Sequence, residues 1–165
     1  MSPAIHRRGL AALAAVLLAA CQSYSPGGMK PGTTAVQVRQ GMGAPTATYP
    51  LPDGGVRYEY ARGPWGKHTY MIDFDAQGHL VKSEQVLTEN SFARIKPGQT
   101  REQVLFTIGH PSNVQQVRYQ NQTVWSYRYD AIFCIWFQVS LSPEGQVLEV
   151  GNGPDPLCER DNERP

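Results

Sequence analysis

The feature that most constrains this chain is that it repeats itself. The run Met29-Lys-Pro-Gly-Thr-Thr-Ala-Val-Gln-Val-Arg-Gln-Gly-Met-Gly-Ala-Pro45 lies over Ile95-Lys-Pro-Gly-Gln-Thr-Arg-Glu-Gln-Val-Leu-Phe-Thr-Ile-Gly-His-Pro111 at an offset of 66, and eight of the seventeen positions are identical. Past one insertion the match continues: Tyr58 and Tyr60 meet Trp125 and Tyr127, Ile72 and Phe74 meet Val139 and Leu141, and Gly78 meets Gly145. A unit of about 65 residues occurs twice, so both copies are expected to share one fold.

The shared positions have mechanical reasons. Thr34 with Gln37, and Thr100 with Gln103, are spaced as capping boxes, so a helix is predicted to start at each. Val38 and Met42, like Val104 and Ile108, are four apart and share a face, with Leu105 widening the second stripe. Gly43 and Gly109 supply the stop, and Pro45 and Pro111 cannot continue the helix. Two turns of helix do not persist alone and must pack on something. Ahead of the second helix, Thr88 to Ile95 can add a further helical turn or two, whereas Gln22 to Gly28 ahead of the first reads as a flexible tether.

The remainder of each copy alternates with period two: Val56, Tyr58, Tyr60; Tyr70, Ile72, Phe74; Trp125, Tyr127, Tyr129; and Phe133, Ile135, Phe137, Val139, Leu141. One apolar face per strand implies antiparallel sheets. Turns are predicted at 52–55, 75–78 and 142–145. The fold class expected is therefore α+β: two tandem repeats, each a short helix or helix pair on a small antiparallel sheet of three to four strands.

The first twenty residues belong to neither copy. Arg7 and Arg8 precede an apolar run from Leu10 to Ala20, which ends on Leu18-Ala19-Ala20-Cys21. That order is a signal peptide, and eleven apolar residues fall short of the roughly twenty needed to cross a bilayer. The cysteine at the cleavage point resembles the bacterial lipobox, which makes Cys21 the lipid attachment residue; the alternative is an ordinary signal in which the cysteine is incidental. Gln22, by the enteric sorting rule, directs such a lipoprotein to the outer membrane, on its periplasmic face. The divisions expected are signal peptide 1–20, lipidated tether 21–28, abbreviated repeat 29–87, complete repeat 88–151 and tail 152–165. The seven-residue tether reaches at most ~25 Å, so the partner is expected near the membrane.

Without Arg7 and Arg8 there remain 13 basic and 14 acidic residues, a balance that implies no nucleic-acid partner. No nucleophile with its base, metal cluster or phosphate loop occurs at convincing spacing, so no catalytic residue, metal site, cofactor or small-molecule substrate is expected. Asp73 and Asp75 share one side of a strand, either as a carboxylate pair or as a solvated face. His68, His79 and His110 are scattered and read as surface histidines.

Cys134 and Cys158 fall in a compartment that oxidises thiols, so they form a disulfide or remain two free thiols. If Leu141 faces Gln146 across the 142–145 turn, counting outward puts Cys134 near Gly153, within reach of Cys158. Cys134 also shares its strand face with Ile132 and Trp136. That face is a candidate interaction stripe partly shielded by Leu157, or else both faces of this strand are core.

The run 95–111, followed by Trp125-Ser-Tyr127 and a closing strand with a glycine turn, resembles the SmpA/OmlA (BamE-like) lipoprotein domain. The resemblance covers 88–150 well and 29–87 more loosely. It implies a helix–helix–sheet fold on the periplasmic face of the outer membrane, and a family that includes an accessory subunit of the β-barrel assembly machinery. The tandem arrangement is also similar to secreted β-lactamase inhibitor proteins, which pair two such repeats and bind an enzyme with the sheet. The function expected is non-catalytic: an outer-membrane lipoprotein that binds outer-membrane or periplasmic proteins in support of barrel assembly or envelope integrity. The alternative is a periplasmic inhibitor or regulatory module.

Overall fold

The computed structural model describes residues 25–158. The signal peptide and Cys21 lie outside the described residues. Helix α1 (Ala35–Met42) is followed by β1 (Ala47–Pro50), β2 (Val56–Ala61), β3 (Thr69–Phe74) and β4 (Leu80–Gln85). The second copy runs α2 (Glu89–Phe92), α3 (Arg101–Ile108), β5 (Asn113–Val117), β6 (Gln122–Arg128), β7 (Ile135–Leu141) and β8 (Val147–Pro154). The strands make two separate four-stranded antiparallel sheets, ordered β1-β2-β3-β4 and β5-β6-β7-β8.

The capping boxes form as spaced. Gln37 N–H donates to Thr34 Oγ1 at 3.3 Å, and Thr34 N–H to Gln37 Oε1 at 2.9 Å. Gln103 and Thr100 repeat this at 3.3 and 2.8 Å. Thr88 caps α2, whose Phe92 is buried and stacks on Phe137 with ring centroids 4.2 Å apart. Each helix lays two buried residues on its own sheet, Val38 and Met42 in the first copy, Val104 and Ile108 in the second. One buried tyrosine per copy closes the helix end onto the sheet: Tyr60 Oη donates to Gly43 O at 3.2 Å and Tyr127 Oη to Gly109 O at 3.1 Å. Burial pushes the Tyr60 phenol up to about 12 and holds that of Tyr127 well above its ordinary value.

The second sheet has one apolar face; the first is covered on both. Tyr60, Ile72 and Phe74 meet α1, while Thr69, Met71 and Asp73 on the opposite face of β3 are also buried. What covers them is α3, a helix of the other copy. Phe106 packs edge-on to Tyr49 at 5.9 Å, and its carbonyl accepts from Arg57 Nη1 at 2.9 Å. Arg57 also holds Asp73 by two bonds of 2.7 and 2.8 Å, with its guanidinium 4.2 Å from the Phe106 ring. Asp73 is thus neither a solvated carboxylate nor paired with Asp75, which sits in the 75–78 turn accepting from the Gln77 and His79 amides.

Beside this pair lies Glu59, fully buried. Its carboxylate accepts from Tyr49 Oη at 2.6 Å and from the His110 amide at 2.7 Å, with His110 Nδ1 at 2.9 Å. Burial and this carboxylate push the Tyr49 phenol far up. Gly109 is needed here twice over: its φ is +79°, and a Cβ on it would stand 2.8 Å from Glu59 Oε1. The layers therefore run α1, first sheet, α3, second sheet.

Candidate functional site

Two of the three most exposed large apolar side chains among the described residues, Ile132 and Phe133, are neighbours on the loop joining β6 to β7, where the two copies meet; the third, Tyr119, lies between β5 and β6. Its root is fixed. Tyr129 is buried, its hydroxyl donates to Glu89 Oε1 at 2.7 Å, and its ring meets Phe92 edge-on at 4.9 Å. Burial and the Glu89 carboxylate push the Tyr129 phenol up to about 12. Asp130 reaches His68 Nε2 at 2.7 Å, tying the loop to the first copy. Two tight turns, Ala131 N–H to Tyr129 O at 3.0 Å and Ile135 N–H to Phe133 O at 2.9 Å, throw the intervening residues outward. Ile132 is 97 % exposed and Phe133 74 %.

The far side of the loop is held by a buried ion pair and by the cysteines. Arg128 makes two bonds to Asp155 and donates to the Pro64 carbonyl of the first copy. Its guanidinium lies 5.4 Å from the Trp65 ring and 5.1 Å from Trp136. Burial works against the charge on Asp155, but bonds from Arg128 and the Leu157 amide hold its carboxyl below the usual range. Cys134 and Cys158 are paired, with Cα atoms 6.1 Å apart, and the Asp155 amide donates to Cys134 O at 3.1 Å. Two grooves flank the loop. One of about 520 Å³ is bounded by Leu87, Glu89, Tyr129 and Ile135, and one of about 370 Å³ by Trp65, Lys67, Asp155 and Leu157.

The residues singled out from sequence separate in the fold. Ile132 is exposed, but it lies in the loop and not on the strand, which begins at Ile135. Trp136 is on the strand, opposite Gly153, and only 7 % exposed, with Arg128 over its ring. The two do not share a stripe. Phe133, read as a core residue by alternation, is exposed for the same reason: the strand has not yet begun. Cys134 lies beside Asp155 and not Gly153 because Leu141 pairs with Val147 instead of Gln146, and a register shift between Ser140 and Leu141 adds a second position. Sequence reasoning missed Trp65, which is 67 % exposed on a short turn (Gly63–Trp65) next to the second groove. A lone aromatic between Pro64 and Gly66 was the available signal.

A rigid apolar knob between two grooves can seat in a protein surface; it offers no reacting group. Among the described residues no three of His, Cys, Asp and Glu come together as a metal-holding group. Nor is any described helix long and apolar enough to cross a membrane.

Architecture and site together define a tandem α+β scaffold of two sheets, carrying an exposed loop at their junction. Within it, residues 84–131 match the Outer membrane protein assembly factor BamE domain. The match runs from the end of β4 through α2, α3, β5 and β6, and stops one residue short of Ile132. No curated protein matches the chain. Among solved structures, it is similar to a Streptococcus mutans protein provisionally described as a β-lactamase inhibitor protein. The identity is 12 %, with 78 % of this chain and 87 % of that one covered and a TM-score of 0.33. It is also similar to a DUF4309 family protein (YjgB) from Bacillus subtilis, with 11 % identity, 81 % and 86 % covered, and a TM-score of 0.31.

Proposed function

We propose that this chain is a non-catalytic outer-membrane lipoprotein, anchored at Cys21, which binds envelope proteins in support of outer-membrane β-barrel assembly or envelope integrity. The observation that carries this reading is the match of 84–131 to the BamE assembly-factor domain. The exposed Ile132 and Phe133, fixed by Tyr129, Arg128 and the Cys134–Cys158 pairing, supply a contact surface of the kind that interfaces are built around. The paired cysteines fit an oxidising compartment.

Co-purification from detergent-solubilised membranes tests it. Barrel-assembly subunits are expected with the wild-type chain, and a loss of roughly hundredfold in binding is expected for the double variant Ile132→Ser, Phe133→Ser. Recovery of a single periplasmic hydrolase instead would replace this reading with the inhibitory one. Cys21→Ser is expected to move the chain from the membrane fraction to the periplasmic extract; retention in the membrane would remove the anchor from the reading.

A further inference from the structure

The two sheets end on corresponding edge strands, β4 and β8, and the edges are not alike. Each begins paired on its outer side to the glycine loop of its own copy. Gly32 N–H donates to Leu80 O and Leu80 N–H to Thr33 O; Gly98 N–H donates to Val147 O and Val147 N–H to Gln99 O. Beyond that anchor the loop turns into the core, and the edge continues without it. On β4 the continuation carries charge: Lys82 and Glu84 pair at 2.5 Å, and Arg94 reaches across to Glu84 at 3.8 Å. Charges of this kind keep an edge from pairing with another chain.

On β8 the corresponding stretch is Leu148-Glu-Val-Gly-Asn-Gly-Pro154, with Glu149 as its one charge. The Asp155 amide points inward to Cys134, so alternation turns the N–H and C=O groups of Val150 and Asn152 outward. Among the described residues nothing pairs with them. The other two edges are shorter, β1 with four residues ending in Pro50 and β5 with five.

We infer that the outer edge of β8 is a docking strand, and that an extended, amphipathic β-strand of a partner protein adds there as a fifth strand of the second sheet. Unpaired backbone groups select an extended backbone over any other ligand. The segment 98–100 already occupies the start of the edge, and an added strand continues the same ladder. The faces decide the side-chain pattern. Val150 stands opposite Val139 on the apolar side and is 37 % exposed, with Leu148 beside it 43 % exposed. Glu149 and Gly151 stand opposite Ser140 and Gln138 on the polar side. A strand that alternates apolar and polar residues satisfies both faces. This rests on the proposed function and deepens it, because alternation of that kind is the pattern of strands in membrane β-barrels.

The test uses the full mature chain and two synthetic ten-residue peptides, one alternating Val or Tyr with Thr or Lys, the other of the same composition without alternation. Amide hydrogen exchange is the readout. At saturating alternating peptide, exchange at Val150 and Asn152 is expected to slow at least tenfold, and the second peptide is expected to leave it unchanged. Protection by both peptides, protection confined to 130–134, or protection that rises with protein concentration alone each overturns the inference. Asn152→Pro removes one outward N–H and leaves the β7 ladder intact, and is expected to weaken peptide binding at least tenfold. If that variant does not fold, Gly151→Glu, which copies Glu84 at a position where a Cβ meets nothing within 4 Å, replaces it with the same expectation. Unchanged binding in a folded variant of either kind overturns the inference. Barrel-assembly subunits that co-purify equally well with Asn152→Pro leave the proposed function standing without this one. A peptide that protects β8 in a chain recovering no such subunits does the reverse.

Discussion

The two copies use the same helix start, the same helix stop and the same tyrosine-to-glycine bond, yet they are stabilised differently. The second has its own small helix, α2, which seats Phe92 on Phe137 and, with Ile95, completes a core enclosed by its own elements. Among the described residues the first has no such helix. Met29 packs at the margin of its core, and the back of its sheet is covered by α3 of the second copy. The second copy is internally complete, and the first is completed by its neighbour. Two substitutions at equivalent positions account for the difference: α1 carries Arg39 and Gln40 where α3 carries Leu105 and Phe106. Only the second helix can be apolar toward two sheets at once.

The largest expected effect tests this asymmetry directly. Phe92→Ala is expected to cost about 4 kcal/mol in urea unfolding, whereas Met29→Ala, at the edge of the first core, is expected to cost less than about 2 kcal/mol. Equal costs would break the comparison. Next, Glu59→Ala removes a buried carboxylate that joins the copies and is expected to cost about 3 kcal/mol. Ser126→Ala, on the same face of the second sheet, is expected to cost about 1 kcal/mol. A separate early melting transition in Glu59→Ala would sharpen the view that the first copy leans on the second. The caps are where the copies should be alike: Thr34→Ala and Thr100→Ala are each expected to cost about 1 kcal/mol, and a twofold disparity would show that one helix is held by packing instead.

The smallest effect is in acid. The folded Asp155 carboxyl is held below its ordinary value of 3.8, so its contribution is complete above that value and is lost as pH falls through the lower, folded one. Stability of the wild-type chain is therefore expected to decline more steeply than that of Asp155→Asn below about pH 4. Parallel curves would mean that the Arg128–Asp155 pair does not contribute in this way.

Local rules carried the reading a definite distance. Capping boxes, helix stops and strand alternation are short-range, and Thr34, Thr100, Gly43 and Gly109 act as their spacing requires. What alternation could not convey was the second face of β3. Thr69, Met71 and Asp73 look like the wet side of a strand until a helix some thirty residues away is laid on them. Glu59 was passed over for that reason: on a polar face, nothing local distinguishes a buried glutamate from a solvated one. At the loop, alternation ran on through Phe133 although the strand starts two residues later. Pairing of Leu141 with Val147, together with the register shift next to it, then moved the partner of Cys134 by two positions, from Gly153 to Asp155.

The order α1, first sheet, α3, second sheet also has a direction. A helix on one unit meets the back of the sheet on the previous unit, which is the heterologous contact of a solenoid and not the closed contact of a twofold pair. Such a stack has no intrinsic last member, so its two ends must be finished by sequence. At one end, α1 carries Arg39 and Gln40 where α3 carries the apolar Leu105 and Phe106, and the junction uses Phe106. At the other, the outer face of the second sheet carries Ser126, Gln138 and Ser140 with Val124, and the residue equivalent to Arg57, which holds Phe106 in the first junction, is Val124. The junction between the two copies is thus a solenoid contact, and building the same contact onto either outer face would require changing those few residues first.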